Sequence, residues 1–283
     1  MKKLRIGFSP CPNDTFIFDA LIHGKIDTEG LEFDVHMADV EELNLMAFQG
    51  DLDITKLSYH AFLHVIEAYI IMDSGSALGN NCGPLLIKNS GAENPIANNL
   101  IAIPGKYTTA NFLLNFAFPK FQNKKEILFS EIEAAIKTKE VCAGLIIHEN
   151  RFTYAERGFE KVKDLGEHWE QNTGMPIPLG GIAIKRNVDK ALQEKVQRLI
   201  RKSIEYAFEN PTDSLAFVKQ NAQEMDAEVI QKHINLYVND YSFSLGVKGK
   251  ASIQYMYDFS VEKKLITETN LDLFVQPIFD SIC

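Results

Sequence analysis

The sequence predicts an α/β protein of two lobes separated by a central cleft, and three observations support this. The chain has 283 residues, more than one ordinary hydrophobic core organises. Short apolar runs alternate with amphipathic helical stretches. Two turn-rich stretches, Lys88 to Asn99 and Met175 to Gly181, suit crossings between lobes. We predict a first lobe of residues 1–88 plus 177–283 and a second lobe of residues 89–176.

Composition limits the classes of partner. Hydrophobic residues make up 46% and charged residues 24% of the chain, typical of a soluble globular protein. The net charge of -9 gives no basic surface for nucleic acid or anionic lipid. The chain begins directly with a strand pattern, without a signal-peptide core, so we expect a cytoplasmic protein. The four cysteines are too scattered for a disulfide framework or structural zinc, and no metal or cofactor is predicted.

The first unit is a strand from Leu4 to Ser9, a polar turn, and a helix through Ile22. Asn13, Asp14 and Thr15 are good N-cap residues for that helix. Free N–H groups at a helix start suit a carboxylate or hydroxyl of a ligand. A capped connection without a ligand remains the alternative.

A second strand (31–37) precedes a helix capped by Asp39, and a third strand (52–55) runs into Lys56, Leu57 and Ser58. Lys56 could pair with an acidic ligand, although most lysines are simply solvated. A helix is predicted over 59–68. Its His60 and His64 share one face, but no third ligand is evident, so a metal site is not expected.

Strands are next predicted over 69–72, 84–87 and 100–103, with a flexible rim or lid over 73–83. Thr108 and Thr109 stand at the start of a helix over 110–118, where hydroxyl and N–H groups, including that of Ala110, can bind a ligand oxygen. A simple threonine cap is the alternative. Ser130 is predicted to cap a further helix over 131–138.

The stretch Val141 to Arg151 has the strongest functional pattern. An apolar run from Ala143 to Ile147 stops at His148, as in a buried strand that delivers polar groups at its carboxyl end. His148 could titrate near neutral pH and act as a general base, or it could merely cap a helix. Polar strand ends at Asn13, Lys56, Thr108 and His148 are expected to converge on the cleft.

The remaining elements have no evident chemistry. A short strand around Val162 and a helix over 167–173 precede a proline and glycine hinge at 175–181 and a strand over 182–185. Helices predicted over 188–209, 212–221, 226–237 and 249–264 have ordinary apolar spacing. We assign these helices to packing.

Four blocks of the sequence resemble the 1,4-dihydroxy-6-naphthoate synthase family of the futalosine route to menaquinone. They are Ser9-Pro10-Cys11-Pro12-Asn13-Asp14-Thr15-Phe16, Thr55-Lys56-Leu57-Ser58-Tyr59, Pro104-Gly105 with Thr108-Thr109, and Gly144-Leu145-Ile146-Ile147-His148-Glu149. The blocks follow in order through most of the first 180 or so residues, while the helical tail adds little.

The resemblance implies a two-lobed periplasmic-binding-protein-like (type II) fold in a cytoplasmic enzyme. The implied substrate is cyclic dehypoxanthine futalosine, a small molecule, cleaved without a cofactor to 1,4-dihydroxy-6-naphthoate. The family's histidine base falls on His148. Its ligand-binding segments fall on Lys56-Leu57-Ser58 and Thr109-Ala110.

The implied chemistry agrees with the residues. Proton removal by His148 could start an elimination, with Glu149 or a backbone carbonyl fixing the tautomer. An inflection of the pH–rate profile between about pH 5 and 8 is then expected. The alternatives are a non-catalytic solute-binding protein with the same cleft, for which the signal-less start is unfavourable, and the sister enzyme chorismate dehydratase.

Overall fold

The computed structural model describes residues 2–222 and 226–276, and this part of the chain forms two mixed sheets with helices packed around them. The strands are β1 (Lys2–Phe8), β2 (Leu31–Met37), β3 (Ile54–Ser58), β4 (Tyr69–Ile71), β5 (Ala77–Gly79), β6 (Leu85–Asn89), β7 (Ile101–Ile103), β8 (Lys124–Glu126), β9 (Ala143–Ile146), β10 (Phe159–Asp164) and β11 (Ile177–Lys185).

The α-helices account for most of the remaining described residues, and a short 3-10 helix, Phe129–Glu131, precedes the fifth of them. They are α1 (Pro12–Ile22), α2 (Val40–Gln49), α3 (Tyr59–Phe62), α4 (Thr109–Ala117), α5 (Ile132–Lys137), α6 (Asn150–Thr153), α7 (Leu165–Thr173), α8 (Lys190–Glu209), α9 (Leu215–Asn221), α10 (Ala227–Tyr237), α11 (Asp240–Phe243) and α12 (Gly246–Glu262). Over the described residues, none of these helices has the length and apolarity required to cross a bilayer.

The first sheet has the strand order β2-β1-β3-β11-β4, and β5 also pairs with β11. Strands β1, β2 and β3 run parallel, whereas β11 is antiparallel to β3, β4 and β5. Helices α1, α8 and α10 bury an apolar cluster that includes Phe8, Phe18, Ile200 and Ile234. Because β1 and β3 are parallel, their carboxyl ends lie at one edge of this sheet.

The second sheet has the strand order β10-β6-β9-β7-β8. Strand β7 runs parallel to β8 and β9, and β6 is antiparallel to β9 and β10. Since β6 belongs here, the chain reaches the second sheet by Leu85, a few residues before the predicted lobe boundary at 88–89. The lobe boundaries themselves stay a prediction.

One apolar cluster joins the two sheets. It includes Leu57 and Tyr59 from the first lobe and Leu86, Phe112 and Trp169 from the second, all nearly inaccessible to solvent. Burial of each such side chain contributes about 1.5–3 kcal/mol. This cluster therefore packs the two sheets against each other.

The predicted cap of α1 is wrong. The helix begins at Pro12 with Cys11 as its N-cap, so Asn13, Asp14 and Thr15 lie inside the first turn. Proline is favoured at the first helical position because it lacks the N–H that would be unsatisfied there. The polar side chains of this turn are consequently available for other partners.

Two predicted flexible segments are ordered parts of the first sheet. Residues 74–79 are buried and contain β5, so the stretch 73–83 is not a flexible rim. The predicted hinge at 175–181 lies largely within β11. A Cβ atom on Gly180 would lie 2.6 Å from the Leu57 carbonyl oxygen, and one on Gly181 would lie 2.6 Å from the Tyr59 hydroxyl. These glycines allow close packing of the strand rather than bending.

Two helix predictions also differ. The helix predicted over 59–68 is the single turn α3, and Glu131 rather than Ser130 is the N-cap of α5. The caps predicted at Asp39 and Thr108 are confirmed, because their side chains accept hydrogen bonds from the N–H groups of Glu41 and Asn111.

Candidate active site

A cleft of about 670 Å³, measured to its open mouth, lies where the carboxyl ends of strands from both sheets meet. The segment after β1 and the end of β3 line one side. The segments after β7 and β9 line the other. Asn13, Lys56, Thr108 and His148 all contribute to its wall, so the structure places the four predicted strand ends around one cleft.

His148 follows β9 and has a left-handed backbone conformation, with φ of 57°. Such a conformation costs about 1–2 kcal/mol for a residue with a Cβ atom. The imidazole is partly exposed to the cleft and lies edge-on to Phe129, with ring centroids 4.7 Å apart. The strained backbone therefore aims the ring into the cleft.

Burial lowers the pKa of His148 to about 4; Asp14 opposes this shift and Lys56 adds to it. The expectation that His148 titrates near neutral pH is therefore wrong, because loss of solvent outweighs the nearby carboxylate. Neutral His148 retains a lone pair at pH 7, which is the state that a general base requires.

Cys11 lies directly behind this ring. Its Sγ atom is 3.3 Å from His148 Nδ1 and 3.8 Å from Nε2. Burial, aided by the charge of Glu149, raises the pKa of the Cys11 thiol well above its usual value. Cys11 is therefore a neutral thiol beside the histidine, whereas Cys142 is exposed.

Asp14 is the centre of a buried hydrogen-bond network. Its Oδ2 accepts from the backbone N–H of Ser9 at 3.1 Å and from the Ser9 hydroxyl at 2.7 Å. Its Oδ1 accepts from Asn13 Nδ2 and Lys56 Nζ, each at 2.7 Å. Four donors thus stabilise one carboxylate whose side chain is 1% exposed.

Lys56, Leu57 and Ser58 all line the cleft. Lys56 lies within β3 and is buried rather than solvated; one of its three donors is used by Asp14. The N–H of Ser58 donates to Asn44 Oδ1 at 3.0 Å, and its hydroxyl accepts from Asn44 Nδ2 at 3.2 Å. The Ser58 hydroxyl proton is not used in these two bonds and can be donated to a ligand.

The amino terminus of α4 provides the second lobe's polar wall through Thr108, Thr109 and Ala110. The Thr108 hydroxyl donates to the Gly105 carbonyl, and the Thr109 hydroxyl donates to the Leu179 carbonyl across the cleft at 2.6 Å. Their oxygens can accept, whereas the first N–H groups of α4 have no partner within the helix. These N–H groups can bind a ligand oxygen.

Thr15 is the one predicted site residue that the structure turns away from the cleft. It is fully buried, and its hydroxyl lies 3.0 Å from the Cys11 carbonyl and 3.3 Å from the Pro12 carbonyl. In a helix interior, threonine commonly bonds a preceding carbonyl in this way. Thr15 thus supports the turn that carries Asn13 and Asp14.

Sequence reasoning missed two residues of α10, His233 and Tyr237, which also line the cleft. His233 is fully buried, and its Nε2 lies 2.9 Å from Asn13 Oδ1. Because that oxygen can only accept, Nε2 carries the proton. Burial lowers the pKa of His233 well below its usual value. A histidine on the apolar face of an otherwise ordinary helix was the available signal, and assigning all of α10 to packing was wrong.

Contacts across the cleft join the lobes. Besides the Thr109–Leu179 bond, the backbone N–H of Tyr107 donates to Glu41 Oε1 at 2.9 Å. Burial raises the pKa of the Glu41 carboxyl, although its hydrogen bonds to Tyr107 and Asn44 oppose the shift. The cleft is thus bridged at its rim.

His60 and His64, the histidine pair considered as a metal site, pack against neighbouring residues instead. His60 Nδ1 lies 3.3 Å from the Thr108 carbonyl oxygen, and its ring packs on His64, Tyr107 and Phe112. Burial lowers the pKa of His60 to about 4. A different group, Cys11, His148 and Glu149, has ligand atoms within 4.8 Å of one another.

Comparison with known proteins identifies what this arrangement resembles. A family model described as "Menaquinone biosynthesis" matches residues 4–262. A 1,4-dihydroxy-6-naphthoate synthase from Thermus thermophilus is 39% identical over 275 residues, covering 97% of this chain and all of that protein.

Solved structures agree on the fold. Protein AF1704 from Archaeoglobus fulgidus is 35% identical, with a TM-score of 0.87 over 93% of this chain and 98% of that chain. The periplasmic aliphatic sulphonate binding protein SsuA from Escherichia coli is 14% identical, with a TM-score of 0.66 over 98% and 93% of the two chains, which shows the fold alone. The predicted two-lobed periplasmic-binding-protein-like fold is confirmed.

Proposed function

The chain belongs to the menaquinone biosynthesis family that includes the 1,4-dihydroxy-6-naphthoate synthases, and from this membership we propose that it is such a synthase. The proposed substrate is cyclic dehypoxanthine futalosine and the proposed product is 1,4-dihydroxy-6-naphthoate. The reaction is a base-initiated elimination with carbon–carbon cleavage. A cytoplasmic location stays a prediction.

The observation that carries the proposal is the placement of His148. A neutral imidazole, held in a strained backbone conformation, lines the same side of the cleft as the amino terminus of α4, whose first N–H groups have no partner within the helix. Strained residues held in place by their surroundings are concentrated at functional sites. A base and hydrogen-bond donors in one cleft are the minimum for removing a proton next to a carbonyl group.

In the proposed mechanism, a ring nitrogen of His148 takes a proton from the carbon next to a substrate carbonyl. The electron pair moves toward the carbonyl oxygen, where N–H groups at Thr109 and Ala110 stabilise the developing negative charge. When the carbonyl re-forms, the carbon–carbon bond β to it breaks, and the sugar-derived fragment leaves with that electron pair and takes up the proton held by the imidazolium. The imidazolium formed at His148 would be stabilised by the Glu149 carboxylate, which has an oxygen within 4.8 Å of a ring nitrogen of His148.

The opposite wall would position the substrate. Lys56, Ser58 and Asn13 face the cleft with donors that can bind hydroxyl or carboxylate oxygens. Asp14 acts indirectly, because it holds Lys56 and Asn13 in place. Leu57 contributes an apolar surface beside them.

The test is formation of product by purified protein incubated with cyclic dehypoxanthine futalosine, followed by chromatography. We expect the naphthoate from the wild type and a loss of about 10²–10⁴-fold for His148→Ala, the usual contribution of a general base. His64→Ala is the matched control, since this histidine is exposed and lies outside the cleft lining.

Two alternatives have distinct outcomes in the same experiment. Conversion of chorismate instead would identify the sister dehydratase. Equilibrium binding of a small solute by the folded protein, with no product from either compound, would indicate a non-catalytic solute-binding protein. Product from wild type and His148→Ala at equal rates would retain the enzyme but remove His148 from its role.

A further inference from the structure

Three potential ligands for a cation lie together beside the cleft, and His148 is the one that lines it. Cys11, His148 and Glu149 each offer one ligand atom, and these atoms are all within 4.8 Å of one another. The closest measured pair is Cys11 Sγ and His148 Nδ1, at 3.3 Å. Cys11 and Glu149 are buried, so water competes little for this position.

A fourth potential ligand, His233, lies next to Glu149, with its ring centroid 6.3 Å from that of His148. His233 Nδ1 lies 3.9 Å from Glu149 Oε2, and within residues 2–222 and 226–276 this buried atom has no hydrogen-bond partner. Leaving such an atom unsatisfied costs about 1–3 kcal/mol. Since His233 donates from Nε2 to Asn13 Oδ1, its Nδ1 has a lone pair available for a donor or a cation.

The support behind His233 is of the kind found around metal ligands. A metal-bound histidine typically donates its other N–H to an oxygen that fixes the ring. Here that oxygen belongs to Asn13, whose own amide donates to Asp14 at 2.7 Å. The orientation of His233 is therefore set before any ligand binds.

We propose that Cys11, His148, Glu149 and His233 form a binding site for one divalent cation of the zinc class, which blocks the cleft by occupying His148. Sulfur, imidazole and carboxylate together favour zinc over magnesium or calcium. Tetrahedral zinc ligands lie roughly 3.3–3.6 Å from one another. The Cys11–His148 separation of 3.3 Å and the His233–Glu149 separation of 3.9 Å are close to these values. Other separations among Cys11, His148 and Glu149 reach up to 4.8 Å, so the His148 ring must rotate and the side chains must close on the cation.

Binding of the cation displaces a proton, and the charges and atoms of this step balance. On binding, the S–H bond of Cys11 breaks, its proton leaves to solvent, and a sulfur–metal bond forms. The thiolate and the Glu149 carboxylate together neutralise the two charges of the cation. The imidazole lone pair of His148 is then engaged, so it can no longer accept a substrate proton.

Cobalt provides a readout that does not depend on activity. We expect the reduced, chelator-treated full chain to bind one Co²⁺, with thiolate-to-cobalt charge-transfer absorption and the intense visible bands of tetrahedral cobalt. Added Zn²⁺ should abolish both. Cys11→Ser should remove the charge-transfer band, whereas Cys142→Ser, which changes an exposed thiol, should retain it.

His233→Gln tests the fourth ligand and should weaken Co²⁺ binding at least about tenfold. Unchanged affinity in a folded variant would overturn the assignment of His233. Absence of the charge-transfer band in folded wild type, or its persistence in Cys11→Ser, would overturn the site without reference to any variant's activity or to the proposed function.

The inhibitory consequence rests on the proposed function. Zn²⁺ should suppress naphthoate formation by the wild type, and a chelator should restore it. Cobalt binding with full activity would overturn the blocking role, whereas an inactive protein that still binds cobalt would contradict the proposed function and leave the cation site standing.

Discussion

Removing the charge of Asp14 should destabilise the protein by about 3–5 kcal/mol, the usual cost of breaking a buried ion pair. Asp14 and Lys56 have side chains that are only 1% and 7% exposed, and their charged atoms are 2.7 Å apart. Asp14→Asn leaves the Lys56 ammonium without its counter-ion. It also replaces one carboxylate oxygen by an amide NH₂, which cannot accept hydrogen bonds. Either the two donors of Ser9 or the donors of Asn13 and Lys56 then lose their acceptor.

The assay is thermal or urea-induced unfolding followed by circular dichroism. For a chain of this size, 3–5 kcal/mol corresponds to a fall of roughly 6–20 °C in the midpoint of thermal unfolding. Asp34→Asn is the matched control. It breaks the Lys3–Asp34 pair, whose atoms are 3.5 Å apart and whose side chains are 62% and 52% exposed, so it should cost only about 0–1 kcal/mol.

A double variant separates the charge from the lost hydrogen bonds. Lys56→Met in the Asp14→Asn background removes the unpaired cation, so part of the stability should return. If Asp14→Asn costs less than about 1 kcal/mol, or if the double variant is no more stable than the single one, the reasoning about the buried pair is refuted.

Three further predictions use the same unfolding measurement. Gly83→Ala should cost at least about 1–3 kcal/mol, because the new Cβ would lie 2.3 Å from Gly166 Cα; an unchanged midpoint would show that the backbones at Gly83 and Gly166 can move apart without loss of stability. Ser203→Ala should cost about 0.5–1.5 kcal/mol, because it removes a buried hydroxyl that donates to the Ile17 carbonyl at 2.6 Å and accepts from the Leu21 N–H at 3.1 Å; an unchanged midpoint would contradict this. Burial lowers the pKa of His60 to about 4 in the folded protein, against about 6.5 in the unfolded chain. The unfolded chain therefore binds the proton first, and stability should fall by up to about 1.4 kcal/mol per pH unit as pH falls from about 6.5 toward 4. His60→Gln should reduce this dependence of stability on pH.

Much of the fold was predictable because local patterns agreed with it. The strand over 31–37 and the end of α2 at Gly50 follow from apolar alternation and from a glycine in the left-handed conformation, φ 69°. The errors arose where tertiary packing decides. Gly180 and Gly181 read as a hinge, although they are required for close contact with Leu57 and Tyr59 in a strand.

The site was predictable where polar residues follow apolar strands, as at Lys56, Thr108 and His148. The contribution of His233 and Tyr237 was not predictable, because α10 is far in sequence from the other residues of the site. The separation of Asn13 and His233 by 220 residues leaves no spacing pattern in the sequence. The low pKa of His148 was equally hidden, since it depends on burial that a single sequence does not give.

The most direct test of His148 as a neutral base is the pH dependence of kcat/KM for conversion of cyclic dehypoxanthine futalosine. Brief exposure to each pH, followed by return to pH 7, separates titration from unfolding. The wild type should be nearly constant from about pH 5 to 8 and should lose activity only near pH 4, as the ring gains a proton and its base function. An acid limb near pH 6.5, or a rate in His148→Gln equal to that of the wild type, would contradict the account.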